Sequence, residues 1–167
     1  YSRYPENDAG EFDDSQTVSI YFHAIGTAQN EDTKVFSFDG KPTWNPYPLV
    51  IQDGETLLIS VFEGYEANGV YAKSLKEKNS KLIPIFDKWD GRYDFIGEKE
   101  DTLFFTSTAD APTGKVVKVE FDNGVQSSET VIESTSDTLN SVSLLGGKLF
   151  AQYLKDVKGQ VSVFDLS

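Results

Sequence analysis

Between Tyr93 and Phe121 apolar and polar positions fall into three short runs separated by turn-forming residues. Tyr93-Asp94-Phe95-Ile96-Gly97 passes through a charged turn into Thr102–Ser107, which is dense in aromatic and β-branched side chains. Such residues fit a pleated, packed surface. In Val117-Lys118-Val119-Glu120-Phe121 apolar and charged residues alternate strictly, the period of a strand with one dry face. The intervening Ala109-Asp110-Ala111-Pro112-Thr113-Gly114 predicts a turn, because proline presets φ and glycine accepts a positive one. The pattern recurs: runs starting at Thr56, Thr102 and Lys148 stand about 46 residues apart, a spacing typical of propeller blades.

This register predicts the rest of the chain. One unit comprises Tyr47–Ile51, Thr56–Phe62, Gly69–Leu75 and Lys81–Phe86; the next comprises Tyr93–Gly97, Thr102–Thr108, Lys115–Phe121 and Glu129–Glu133. A third has Leu139–Leu145, Lys148–Leu154 and Gly159–Leu166, and a strand pair, Thr17–Ala24 and Thr33–Phe38, precedes them all. Asp53-Gly54 and Gly146-Gly147 sit where hairpins need φ > 0. Pro42, Pro46 and Pro48 around Trp44 confine pairing there to an edge or a connection. No stretch carries a helical stripe. Residues Tyr1 to Ser15 read as an acidic loop without periodicity. The fold class expected is therefore all-β: a partial β-propeller of about three and a half four-stranded antiparallel blades, spanning 1–167 as a fragment of a larger ring. Strands such as Leu57–Val61, apolar on both sides, are explained by blade stacking on blade.

Composition narrows the function classes. With no cysteine there is neither a disulfide framework nor a thiolate site. The formal net charge of -12 argues against nucleic acid, which needs clustered Lys and Arg. No apolar run approaches the ~18–20 residues of a membrane span, and the start is no signal peptide. Lacking an initial Met, the chain reads as a processed or excised piece.

Candidate chemistry is sparse. Asp8, Glu11, Asp13 and Asp14 lack the ligand spacing of a calcium-binding EF-hand loop, and no metal or cofactor is expected. The single histidine, His23, sits among aromatics and reads as a hydrogen-bonded structural residue. No Gly-x-Ser-x-Gly elbow or phosphate loop occurs, so no catalytic residue is assigned.

One set of segments resembles a known family. Ile20-Tyr21-Phe22-His23-Ala24-Ile25-Gly26-Thr27-Ala28-Gln29-Asn30-Glu31-Asp32 is similar to the Tyr-x-His-x-Leu-Gly-Thr-x-Gln-x-x-Asp segment of the prolyl oligopeptidase propeller. Tyr93–Gly97, Asp110–Val116, Tyr153–Val157 and Val163–Leu166 resemble the same family in order and at similar intervals. The resemblance implies a seven-bladed propeller covering an α/β-hydrolase domain that cleaves peptides after proline. That catalytic domain is absent from this sequence.

It further implies that Tyr65, in the turn Phe62-Glu63-Gly64-Tyr65, and Asn45, after Trp44, wall the pocket for the substrate residue two before the proline. The family more often has softer or smaller residues there, and Tyr65 also reads as a plain loop aromatic. The partners implied are short proline-containing peptides and the catalytic domain, without nucleic acid or membrane. The implied location is the cytoplasm, with the periplasm as alternative. A second reading, from another class, is a stand-alone partial propeller serving as an interaction scaffold. The open ends predict self-association of the isolated chain, a ring-like dimer above all.

Overall fold

The computed structural model describes residues 1–51, 54–77, 79–122 and 124–166. Antiparallel pairing joins each strand to its sequence neighbour within four separate sheets. The first holds β1 (Ser2–Arg3), β2 (Ser19–Phe22) and β3 (Thr33–Ser37). The second holds β4 (Asn45–Ile51), β5 (Thr56–Phe62), β6 (Asn68–Ser74) and β7 (Ile83–Phe86). The third holds β8 (Tyr93–Lys99), β9 (Thr102–Ser107), β10 (Lys115–Phe121) and β11 (Val125–Ile132). The fourth holds β12 (Thr138–Leu145), β13 (Lys148–Lys155) and β14 (Lys158–Asp165). The fold is an all-β partial propeller. Among the described residues the one helical turn is a 3₁₀ segment, Gln29–Glu31, inside the β2–β3 connection.

Alternation along a strand sends successive side chains to opposite faces, and on β5 and β9 of the middle sheets both faces are largely buried. On β5, Leu57, Ile59 and Val61 pack with Ile20 of the first sheet and with Phe38 just after it, whereas Leu58 packs with Leu103 and Phe105 of the third. On β9, Phe104 turns the other way, onto Leu149, Ala151 and Tyr153 of the fourth. Among the described residues the core is thus three clusters, one at each joint between neighbouring sheets.

Turn chemistry sets the hairpins. Gly146 and Gly147, at φ +55° and +74°, make the two-residue connection of β12 and β13. Gly54 has φ +94°; its predicted partner Asp53 lies outside the described residues. In the Pro112 turn, Gly114 N donates to Ala111 O at 2.8 Å. Gly114 also approaches the fourth sheet closely, since a Cβ there would lie 2.9 Å from Leu139 Cβ.

Two expectations are corrected. The stretch from Tyr1 to Ser15 is not wholly loop: β1 pairs with β2, and Glu6 bridges Phe12, so the first sheet has three strands rather than two. A two-residue strand shows no period; it is held by contacts from afar, with Ser2 Oγ donating to Pro46 O at 2.7 Å. The last strand of the third sheet begins at Val125 rather than Glu129. Pro46 and Pro48 do lie within a strand, on β4, the edge of its sheet.

Candidate functional site

Asn45 at the head of β4 pairs across the ladder with Phe62 at the end of β5, and Phe62 with Asn68 at the head of β6. This row brings Asn45 to the same end of the second sheet as the β5–β6 turn, where Tyr65 is 92% exposed. Asn45 is exposed too, its Nδ2 donating to Thr43 O at 3.2 Å. Both implied pocket residues therefore share one open rim.

Glu63 ties this rim together. One carboxylate oxygen accepts from Thr43 Oγ1 at 2.6 Å, the other from the indole Nε1 of Trp44 at 3.1 Å. These bonds, the Thr43 one foremost, hold its carboxyl below the usual range. Trp44 in turn lies against Trp89, ring centroids 5.0 Å apart. The turn bearing Tyr65 and the segment leading to Asn45 are thus braced against each other.

The neighbouring joint is stapled by Asn68, which is fully buried. Its Oδ1 accepts from Tyr93 N at 2.6 Å, its Nδ2 donates to Tyr93 O at 2.9 Å, and its N donates to Gly91 O at 3.2 Å. A side-chain amide here stands in for a strand partner, satisfying backbone groups that would otherwise be buried unpaired. Gly91 is required at this point, because a Cβ would fall 2.4 Å from Ala109 N. The staple sets Arg92 on the same rim, its guanidinium 5.5 Å from the ring centroid of Phe62.

His23 is hydrogen-bonded, through Nδ1 to Asp32 Oδ1 at 2.6 Å. The Asp32 side chain is 1% exposed and also accepts from the Tyr1 hydroxyl. The Tyr1 bond, more than His23, keeps this carboxyl below its ordinary range. The network binds β1, β2 and β3 together. Within the acidic first loop the Asp13 carboxylate accepts from Ser15 and Gln16, and the Asn7 amide Oδ1 accepts from Ala9 N and Glu11 N. Among the described residues, no three or more His, Asp and Glu side chains are grouped to hold a metal ion. Nor is any helix long and apolar enough to cross a membrane.

At the far end of the second and third sheets lies a cleft of about 540 Å³ with Glu55, Glu98, Glu100 and Asp101 on its walls. Lys76 enters it and pairs with Glu55 at 2.6 Å. The two ends thus differ: the cleft end is mainly acidic, whereas the rim mixes aromatic, amide and guanidinium groups with the paired carboxylates of Glu63 and Asp94.

Residues 1–167 match the family model described as the prolyl oligopeptidase N-terminal β-propeller domain. The chain belongs to that family. The prolyl endopeptidase of Elizabethkingia meningoseptica is 32% identical over 147 residues, 87% of this chain and 21% of that one. The prolyl oligopeptidase A of Galerina marginata is 23% identical over 176 residues, 98% of this chain and 24% of that one. Among solved structures, one from a study of two prolyl endopeptidases superimposes with a TM-score of 0.84 at 29% identity, covering 99% of this chain and 24% of that one. Prolyl oligopeptidase B from Galerina marginata, bound to a 35mer hydrolysis and macrocyclization substrate, agrees in fold (TM-score 0.83) at 20% identity, covering 99% and 24%. The chain spans about a fifth to a quarter of the length of these relatives.

Sequence reasoning placed Asn45 and Tyr65 by resemblance, and the fold brings them to one rim. It missed Glu63 as a brace, Asn68 as a staple, and Arg92. Glu63 stood in view within the turn that carried Tyr65. The Asn68–Tyr93 bond, between different sheets, leaves no periodic signal.

Proposed function

We propose that this chain is part of the propeller of a prolyl oligopeptidase-like serine endopeptidase. There it gates the access of short proline-containing peptides to an α/β-hydrolase active site contributed by another part of the protein. The observation that carries this reading is the match of all 167 residues to the propeller domain of that family. The rim of Asn45 and Tyr65 supports it, with Tyr65 offering an exposed aromatic face to an apolar side chain two residues before the proline. The physical logic of the gate is size: a channel bounded by sheets passes an extended chain and excludes a folded domain.

The test uses the full-length protein. A chromogenic peptide with an internal proline should be cleaved after it, and a serine-directed phosphonate should abolish the activity. A folded protein with exposed X-Pro sequences should be spared, while peptides excised from it are cut. Equal kcat/KM for the folded protein and its peptides would overturn the gate. Absence of proline-specific cleavage would overturn the enzyme assignment.

A further inference from the structure

The sequence contains two arginines, Arg3 and Arg92, and their guanidinium groups are in different states. Arg3 is engaged: Nη1 donates to Glu6 Oε1 at 2.6 Å and Cζ lies 4.4 Å from the centroid of the Tyr21 ring. Arg92 is held from one side only. Its Nε donates to the two carboxylate oxygens of Asp94 at 3.0 and 2.8 Å. The guanidinium rests on Phe62, and 47% of the side chain is exposed. Among the described residues no hydrogen bond engages its Nη1 or Nη2.

The backbone beneath is fixed. Arg92 N donates to Thr108 Oγ1 at 2.9 Å, and Arg92 O accepts from Thr108 N at 3.0 Å. Gly91 and Tyr93 on either side are clamped by Asn68. A fork of donors already oriented loses little freedom when it binds. Beside it a groove of about 300 Å³ runs from Arg92 and Asp94 past Thr108 to Leu139, Asn140 and Val142.

Charge decides what such a fork accepts. A carboxylate would meet Asp94 beside the guanidinium, on a chain of net charge -12. A carbonyl oxygen takes both donors without that repulsion, and an extended peptide offers one carbonyl every ~3.3 Å. We propose that Arg92 is a substrate-contacting residue, whose Nη1 and Nη2 donate to a main-chain carbonyl of an extended peptide crossing the rim beside Asn45 and Tyr65. This rests on the peptidase reading above.

The experiment compares full-length wild type with Arg92→Leu on a short proline peptide and on one extended by several residues, each with Gln or Glu at the variable position. Loss of a charge-assisted hydrogen bond should raise KM for the extended peptide about tenfold, with kcat, Tm and the short peptide unaffected. The Gln and Glu peptides should respond alike. Arg92→Lys, which keeps the charge but lacks the fork, should fall between the two, and it carries the measurement if Arg92→Leu does not fold. Unchanged KM for the extended peptide would overturn the contact. A rise confined to the Glu peptide would overturn the carbonyl and assign a carboxylate. Wild type inert toward every proline peptide would instead sink the peptidase reading, and this inference with it.

Discussion

At the scale of single residues, position on the rim and position in a turn have separable consequences. Tyr65 is 92% exposed, so its ring contributes almost nothing to packing. If it walls the pocket, Tyr65→Ala in the full-length protein should raise KM for peptides with a bulky apolar residue two before the proline. The lost ring contact should cost about 1–3 kcal/mol of substrate binding and leave peptides with glycine there nearly unchanged. An equal effect on both peptides would remove Tyr65 from the pocket. Val157 tests turn chemistry instead. It follows Asp156 in the two-residue β13–β14 hairpin, with φ of +62° on a β-branched side chain that is 92% exposed. Left-handed backbone costs such a residue about 1–2 kcal/mol, and an Asp-Gly pair is what this turn favours. Val157→Gly should therefore stabilise the chain by about 1 kcal/mol in urea unfolding, less whatever the glycine gains in the unfolded state. Gly146-Gly147 announced its hairpin by turn chemistry; the Asp156-Val157 connection was expected only as the gap between Leu154 and Gly159, because a valine there contradicts local preference and is imposed by the flanking strands.

At the scale of elements, most strands were legible and the joints between them were not. β5 and β10 match the hydrophobic runs Thr56–Phe62 and Lys115–Phe121 end to end, because alternation and turn residues are local signals. β1 and the Asn68 staple depend on partners 44 and 25 residues away, so no window of sequence contains them. Asn45 and Tyr65 were named only through resemblance, for they are brought to one rim by register across the strands of the second sheet. Asn68 gives the joint a measurable strength. Asn68→Ala leaves Tyr93 N and Tyr93 O buried without their partner, and should cost about 3 kcal/mol in urea unfolding, whereas Asn45→Ala on the exposed rim should cost little.

Tyr93 adds a pH signature at the same joint. Burial first, then its bond to Asp90 at 2.9 Å, pushes its hydroxyl from 10.0 up to about 12. Its folded value lies above its unfolded one, so the contribution is complete below pH ~10 and is lost as pH rises toward 12. Tyr71 and Tyr153 shift the same way through burial. Alkaline unfolding monitored by tyrosinate absorbance should start above pH ~10, and Tyr93→Phe should flatten part of that dependence. A profile identical to wild type would detach Tyr93 from it.

At the scale of the whole molecule, the two outer sheets differ from the two inner ones. The second and third sheets each have neighbours on both faces, whereas the fourth packs on the third through Leu149, Ala151 and Tyr153 and turns its other face outward. Register places Phe150 beside Val163 and Gln152 beside Val161 on that outward face. Val161 and Val163 are 59% and 54% exposed there, with Leu154 at 50% and Leu145 at 70% nearby. At the other end Phe22 of β2 is 63% exposed. Such surface on a sheet is more apolar than an isolated domain tolerates well, and β14 adds an unpaired edge among the described residues. Since the two outer faces are different surfaces, contact between copies is heterologous, closing only if the rotation per copy permits. The net charge of -12 opposes association, but at ~0.15 M salt repulsion reaches only ~8 Å. The isolated 167-residue chain should therefore self-associate, with a closed dimer favoured over open aggregates. Light scattering over a dilution series to ~100 μM should show mass rising with concentration, and Val161→Lys with Val163→Lys should suppress the rise without unfolding the sheet. A strictly monomeric wild type at the highest concentration would mean that these faces are not adhesive, and that the outward valines are tolerated as ordinary surface.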